Sequence, residues 1–166
     1  MPTSYSQADD ATVALLTRTI AEFHPQLKQH EVIIGVLIAA NPDGPAVKHA
    51  GYAAAATIKV VPLKDRLTKG YDAELLIDNE HWKECRKEHR VAILDHELSH
   101  LEVAKTKGGA VKRDDLGRPK LKILPGDIVQ SDGFRDVVKR HGEYAPEVIT
   151  LRRATATMRA TGTVAI

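Results

Sequence analysis

His96-Glu97-Leu98-Ser99-His100 places two imidazoles and a carboxylate within five residues. With 8 His among 166 residues, such a pentapeptide arises by chance about 0.02 times. On a helix, residues four apart stand about 40° apart around the axis and one turn along it, so both ring nitrogens reach one ion. Val91, Leu94, Leu98 and Leu101 gather on the opposite arc, which would bury against a core and leave the imidazoles on the other face. Two neutral imidazoles, with a coordination position left for water, suit Zn2+. The ion lowers the pKa of a bound water to about 7. Glu97 sits where a carboxylate can hydrogen-bond that zinc-bound water and take its proton as a general base. Ile93, Val103 and Ala104 flank the pair and predict a covered cleft. A solvated polar helix face and a structural metal site are the blander uses of the same residues. Structural zinc sites usually hold four protein ligands, cysteines among them, and this chain has one cysteine, Cys85.

The motif helix is predicted over Lys87–Lys105, ended by Gly108-Gly109. Val13, Leu16, Ile20 and Phe23 recur at helical spacing and predict a first helix over Ser6–Gln26, with Asp9 and Asp10 near its start. Glu31–Ala40 reads as a buried strand before the Asn41-Pro42-Asp43-Gly44-Pro45 turn cluster. Lys59–Pro62 is a short strand. Tyr71–Asp78 is a third, alternating Ala73, Leu75 and Ile77 against Asp72, Glu74 and Leu76; it is the candidate cleft edge, able to pair with an extended substrate backbone. Lys107–Lys122 reads as a solvated hairpin or loop in preference to a basic contact patch. Lys120–Leu124 is a strand, and Asp132–Arg140 and Glu147–Arg159 are helices. This order predicts an α+β fold, a small mixed sheet packed on an active-site helix with C-terminal helices, in one domain spanning residues 1–166.

A formal charge of +2 is too balanced to argue for non-specific nucleic-acid or anionic-membrane binding. One cysteine excludes an intrachain disulfide and a Cys-rich zinc knuckle. No basic-then-apolar leader is visible at the N-terminus, and Val32–Ala40 is far shorter than the roughly 20 residues of a membrane span. A cytoplasmic protein is expected.

The stretch Tyr71–Glu102, with Tyr71-Asp72, Trp82, Arg90 and Ile93-Leu94-Asp95-His96-Glu97-Leu98-Ser99-His100-Leu101, resembles phage-type metallopeptidases, small zincin-like domains similar in general plan to SprT-like proteases. Lys120–Tyr144, with Gly126-Asp127 and Phe134 through Gly142, resembles their closing strand and helix. The resemblance implies a zincin-like fold, zinc as cofactor and hydrolysis of a protein or peptide substrate, with His96 and His100 as ligands and Glu97 as general base. Related proteins often supply a third ligand as a His just before the final helix. Here Asp127 follows Gly126 at that place, and Asp132 precedes Gly133-Phe134; either carboxylate can bind Zn2+, while Asp132 could equally cap a helix. Glu102 and His141 are weaker candidates. Tyr71, His141 and Tyr144 could each stabilise an oxyanion. Asp95 is either an acceptor that orients His96 or a surface charge. The alternative function is a non-catalytic zinc-bound binding module of a phage or mobile element. Its partner would be a protein or, through the basic Lys105–Lys122 segment, DNA.

Overall fold

Asp9 turns the first apolar run into a helix by accepting the Thr12 amide at 2.8 Å, as an N-cap does. In the computed structural model, which describes residues 2–124, 132–149, 152–153 and 156, this helix is α1 (Asp10–Phe23), followed at Pro25 by the short α2 (Pro25–Gln29). Ahead of it lies a strand that the polar sequence Ser4-Tyr5-Ser6-Gln7 did not announce: β1 (Ser4–Gln7) pairs antiparallel with β2 (Ile34–Ala40). The predicted helix over Ser6–Gln26 therefore loses its first residues to the sheet.

A four-stranded sheet has the order β1-β2-β6-β5, where β5 is Ala56–Val60 and β6 is Ala73–Asp78. The β2–β6 pair is parallel and the other two are antiparallel. The Tyr71–Asp78 strand is thus an interior strand with partners on both sides, and the open edge on this side of the sheet belongs to β5. Its composition explains the placement, since Ala73, Leu75 and Ile77 are fully buried and a strand hidden on this scale is rarely an edge. These three residues join Leu15, Leu16, Trp82, Ile93, Leu94 and Leu98 in the core. Between the strands lie α3 (Leu63–Lys69) and α4 (Asn79–Glu84), neither of which the hydrophobic spacing had suggested. Asp78 caps α4 through the His81 amide.

The motif helix, α5, runs Lys87–Leu98, shorter than predicted. After it the chain turns into β7 (Leu101–Val103), paired antiparallel with β8 (Leu121–Ile123). Leu101 and Val103 are buried and Glu102 between them is not, a period of two that a continued helix would misplace. The turns between β7 and β8 carry the basic segment, which is pinned to the body by charge pairs. The Arg118 guanidinium grips the Asp72 carboxylate at 2.7 and 3.2 Å, and Arg66 donates to Asp114 at 3.0 Å and to the Pro119 carbonyl at 2.9 Å. A final described helix, α6 (Asp132–His141), leads into a 3-10 turn, Gly142–Tyr144. Among the described residues no helix is long and apolar enough to cross a membrane.

Two predictions follow from local packing and charge. A Cβ on Gly35 would meet the Tyr71 ring at 2.6 Å, and that ring is tethered by its hydroxyl to Glu74 at 2.7 Å. Gly35→Ala should therefore destabilise the fold by about 1–3 kcal/mol, read as a lower urea midpoint. Burial works against the charge on Asp114, but the Arg118 and Leu116 amides and the Arg66 guanidinium outweigh it and hold its pKa below the ordinary value. A folded-state pKa below the unfolded value stabilises fully above the unfolded pKa and is lost as pH falls through the folded one. Asp114→Asn should accordingly lower stability at pH 7, with the gap to the wild type closing in urea titrations below about pH 3.

Candidate metal centre

The last turn of α5 tightens as it ends. The Ser99 amide donates to Asp95 and His96 carbonyls, the His100 amide to the Glu97 carbonyl at 3.1 Å, and the Ser99 hydroxyl back to the Asp95 carbonyl at 2.7 Å. His96 and Glu97 ride on the helix, whereas His100 stands in the turn just beyond it. One ligand-capable atom from each of these three residues lies within 4.8 Å of the others. The two rings are 5.1 Å apart, nearly perpendicular.

Each imidazole is oriented by an acceptor on its Nδ1. His100 Nδ1 donates to the Leu124 carbonyl at 2.9 Å, and the Leu124 amide donates back to the His100 carbonyl at 2.7 Å. A carbonyl can only accept, so the proton sits on Nδ1 and the lone pair on Nε2. His96 Nδ1 is hydrogen-bonded to Glu147 Oε1, which sets the same tautomer, and His96 Nε2 faces Glu97 Oε1 at 3.9 Å. Burial lowers the pKa of His100, and the nearby His96 and His49 charges push the same way against the Leu124 carbonyl. That direction favours the neutral ring, the form in which an imidazole binds a metal. For His96 burial works downward, but its hydrogen bond to the Glu147 carboxylate and the charges of Glu97, Glu147 and Asp95 outweigh it and raise the pKa.

Glu97 is buried, and that burial pushes its pKa up to about 7; the Glu147 charge adds to the rise, while His96 and the Ile58 amide oppose it. Ile58 lies in the open-edged strand β5. The Ala55 carbonyl and the Val61 amide bond to residues bordering β6, so alternate residues Ala56, Ile58 and Val60 turn their amides and carbonyls away from the sheet. Glu97 therefore lies against the unpaired side of an edge strand.

Glu147, residue two of a helical stretch beginning at 146, was placed in the sequence only as part of the last helix. It is 2% exposed, and among the described residues its Oε2 has no hydrogen-bond partner. Its signal in the sequence was a carboxylate in a weakly charged stretch, indistinguishable from a helix-start residue. Among the described residues no Lys or Arg pairs with Glu97 or Glu147. Two buried carboxylates thus stand beside two imidazoles, a donor set that suits a divalent cation.

The other expected site residues are dispersed. Asp127 lies outside the described residues, and Asp132 opens α6 with its side chain outside them. Glu102 is on β7, ion-paired with Lys122, and not on the motif helix. Asp95 is fully buried and is no surface charge; its hydrogen bonds go to His24, Arg140 and His141 and not to the His96 ring. Tyr71 is committed to Glu74, and the Tyr144 ring meets His89 edge-on.

Residues 3–159 match the model of the family described as Putative phage metallopeptidase. The chain belongs to that family. No curated protein and no solved structure matches it. A metallopeptidase implies a metal cofactor and a protein or peptide substrate, and the His96–Glu97–His100 group has the donor chemistry for such a metal.

If Glu147 orients His96 in this metallopeptidase, its loss should weaken metal binding without unfolding the chain. Glu147→Gln is expected to lower Zn2+ or Co2+ affinity about 10- to 100-fold, measured by competition with a chromophoric chelator.

Proposed function

We propose that this chain is a zinc-dependent endopeptidase in which His96 and His100 bind the ion through Nε2 and Glu97 is the general base. The observation that carries the reading is a buried carboxylate of near-neutral pKa, wedged between an oriented imidazole pair and the unpaired side of an edge strand. Zn2+ bound there would polarise the scissile carbonyl and lower the pKa of a water to about 7. Nitrogen and oxygen donors without a cysteine suit zinc in a catalytic role better than a structural one.

The residues divide the work. Glu97 accepts the proton of the attacking water and returns it to the departing amine nitrogen. The outward amides and carbonyls of Ala56 and Val60, with the Ile58 carbonyl, hold an extended substrate as an added strand, in place of the Tyr71–Asp78 strand, which lies inside the sheet. Asp127 is the preferred third ligand. Asp132, further along the chain, is the second choice. Glu147, with one oxygen on His96 Nδ1, orients that ring.

Glu97→Gln keeps shape and burial but removes the base. It should bind Zn2+ with wild-type stoichiometry while its turnover of an unstructured protein falls at least 100-fold. Equal cleavage by the two proteins would end the proposal.

A further inference from the structure

The small overall charge conceals an uneven distribution. Residues 105–122 hold seven lysines and arginines against Asp114 and Asp115, a balance of +5, so with +2 overall the rest of the chain carries −3. Folding then uses up Asp114, which Arg66 holds in a buried pair at 3.0 Å, and leaves Asp115 to face solvent. Arg118 is spent on Asp72. Among the described residues, Lys105, Lys107, Lys112, Arg113 and Lys120 have no carboxylate partner. Lys122 meets Glu102 at 3.2 Å in the open, a weak kind of pair that a stronger anion displaces.

These cations stand on an ordered arm. The Ala104 amide donates to the Lys120 carbonyl at 2.8 Å, the Lys112 amide to the Ala104 carbonyl at 2.9 Å and the Lys120 amide to the Lys112 carbonyl at 2.8 Å. Three short extended runs thus lie side by side, and bridges join Lys105 to Val111 and Arg113 to Pro119. Gly109 and Gly117, both at positive φ, make the turns between them. Leu101, Val103, Val111 and Leu121 pack toward the core. Side chains alternate along extended backbone, so Lys112, Lys120 and Lys122 share the opposite face, with the small Ala104 between them. Lys120 and Lys122 are about 6–7 Å apart along one strand, and neighbouring runs are about 5 Å apart. That is the scale on which a nucleic-acid backbone repeats its phosphates.

We propose that this arm is a binding surface for duplex DNA, gripping phosphates without reading sequence. A dense patch of unpaired cations on an otherwise acidic chain is complementary to a polyanion. Single strands are held by bases stacked on aromatic rings, and residues 104–124 contain no aromatic residue and no His. The wide major groove of B-DNA admits a β-ribbon, whereas that of duplex RNA is too narrow. An anionic membrane surface is met by an amphipathic helix, and the arm has none. β7 begins beside His100, and the Leu124 carbonyl after β8 accepts from that ring, so a duplex on the arm is held at a fixed offset from the metal centre. The proposal holds whether or not that centre cleaves peptides.

The test follows the fluorescence anisotropy of a short labelled DNA duplex of mixed sequence, titrated with the full chain at several salt concentrations. The slope of log Kd against log salt should be about 4, since each neutralised phosphate contributes about 0.9. Lys105→Gln, Lys107→Gln and Lys112→Gln together should weaken binding at least tenfold and lower that slope by about 2–3, with the melting temperature unchanged. The same loss of charge at exposed lysines elsewhere, through Lys28→Gln, Lys64→Gln and Lys83→Gln, should leave Kd within about threefold. The matching single strand, an RNA duplex, a polyglutamate peptide and phosphatidylserine vesicles should each bind more weakly than the DNA duplex. Equal losses from the two triple variants would make binding a matter of total charge and overturn the role of the arm. A slope near zero, no binding of the duplex, or a tighter hold on any of the other four probes would overturn the assignment to duplex DNA.

Discussion

Asp95 is a carboxylate with no exposed surface, and it accepts four hydrogen bonds, from His24 Nε2 at 2.6 Å, from Arg140 Nε and Nη2 at 2.8 Å each, and from His141 Nε2 at 2.8 Å. Burial alone would raise its pKa, and these donors hold it down. A bare carboxylate in that position would cost several kcal/mol, so the helix bearing Asp95 is stable only where the other elements bring their donors. His24 comes from the α1–α2 junction, and Arg140 and His141 from the end of α6. The Phe23 ring backs the cluster, with Arg140 over its face at 4.7 Å and His141 at its edge. One residue later on α5 comes His96. The grip that fixes the helix therefore also fixes the first imidazole of the metal centre.

The same grip delivers Glu147. From His141 the chain passes through the Gly142–Tyr144 turn to the helical stretch in which Glu147 meets His96. The centre thus has one imidazole held by a carboxylate from the C-terminal region and the other by a backbone carbonyl at the end of β8. Both partners accept from Nδ1, and His96 Nε2 faces Glu97 Oε1 at 3.9 Å. Burial, with the Glu147 charge adding to it, pushes the Glu97 pKa to about 7, which is the range in which a carboxylate both takes and returns a proton.

Much of the frame was legible from side-chain pattern. Apolar period 3.6 marked α1, period 2 marked β6, and the Val- and Ile-rich run marked β2, because each of these buries a face against the core and its composition must show it. Elements with little buried apolar surface were not visible. β1 is exposed along its length and is held by backbone pairing to β2 and the Ser4 hydroxyl on the Ala40 carbonyl; the hairpin of β3 (Lys48–His49) and β4 (Tyr52–Ala53) is likewise exposed and anchored by Asp78. The end of α5 was misplaced by about two turns, since Leu101 and Val103 fit a helical stripe as well as they fit a strand. Only the presence of β8 makes the strand the better burial.

The five-residue motif determined the donor types, their helical spacing and the opposing leucine face, because these depend on neighbours in the chain. Its specificity comes from local geometry, which any fold must respect. Which nitrogen of each ring carries the proton, how far Glu97 is taken out of water, and which strand lies open beside it were decided by residues far away in sequence: Leu124, Glu147 and Ile58. Hydrogen-bond partners and desolvation are set by proximity in space, and a linear pattern carries no record of that proximity until the chain has packed.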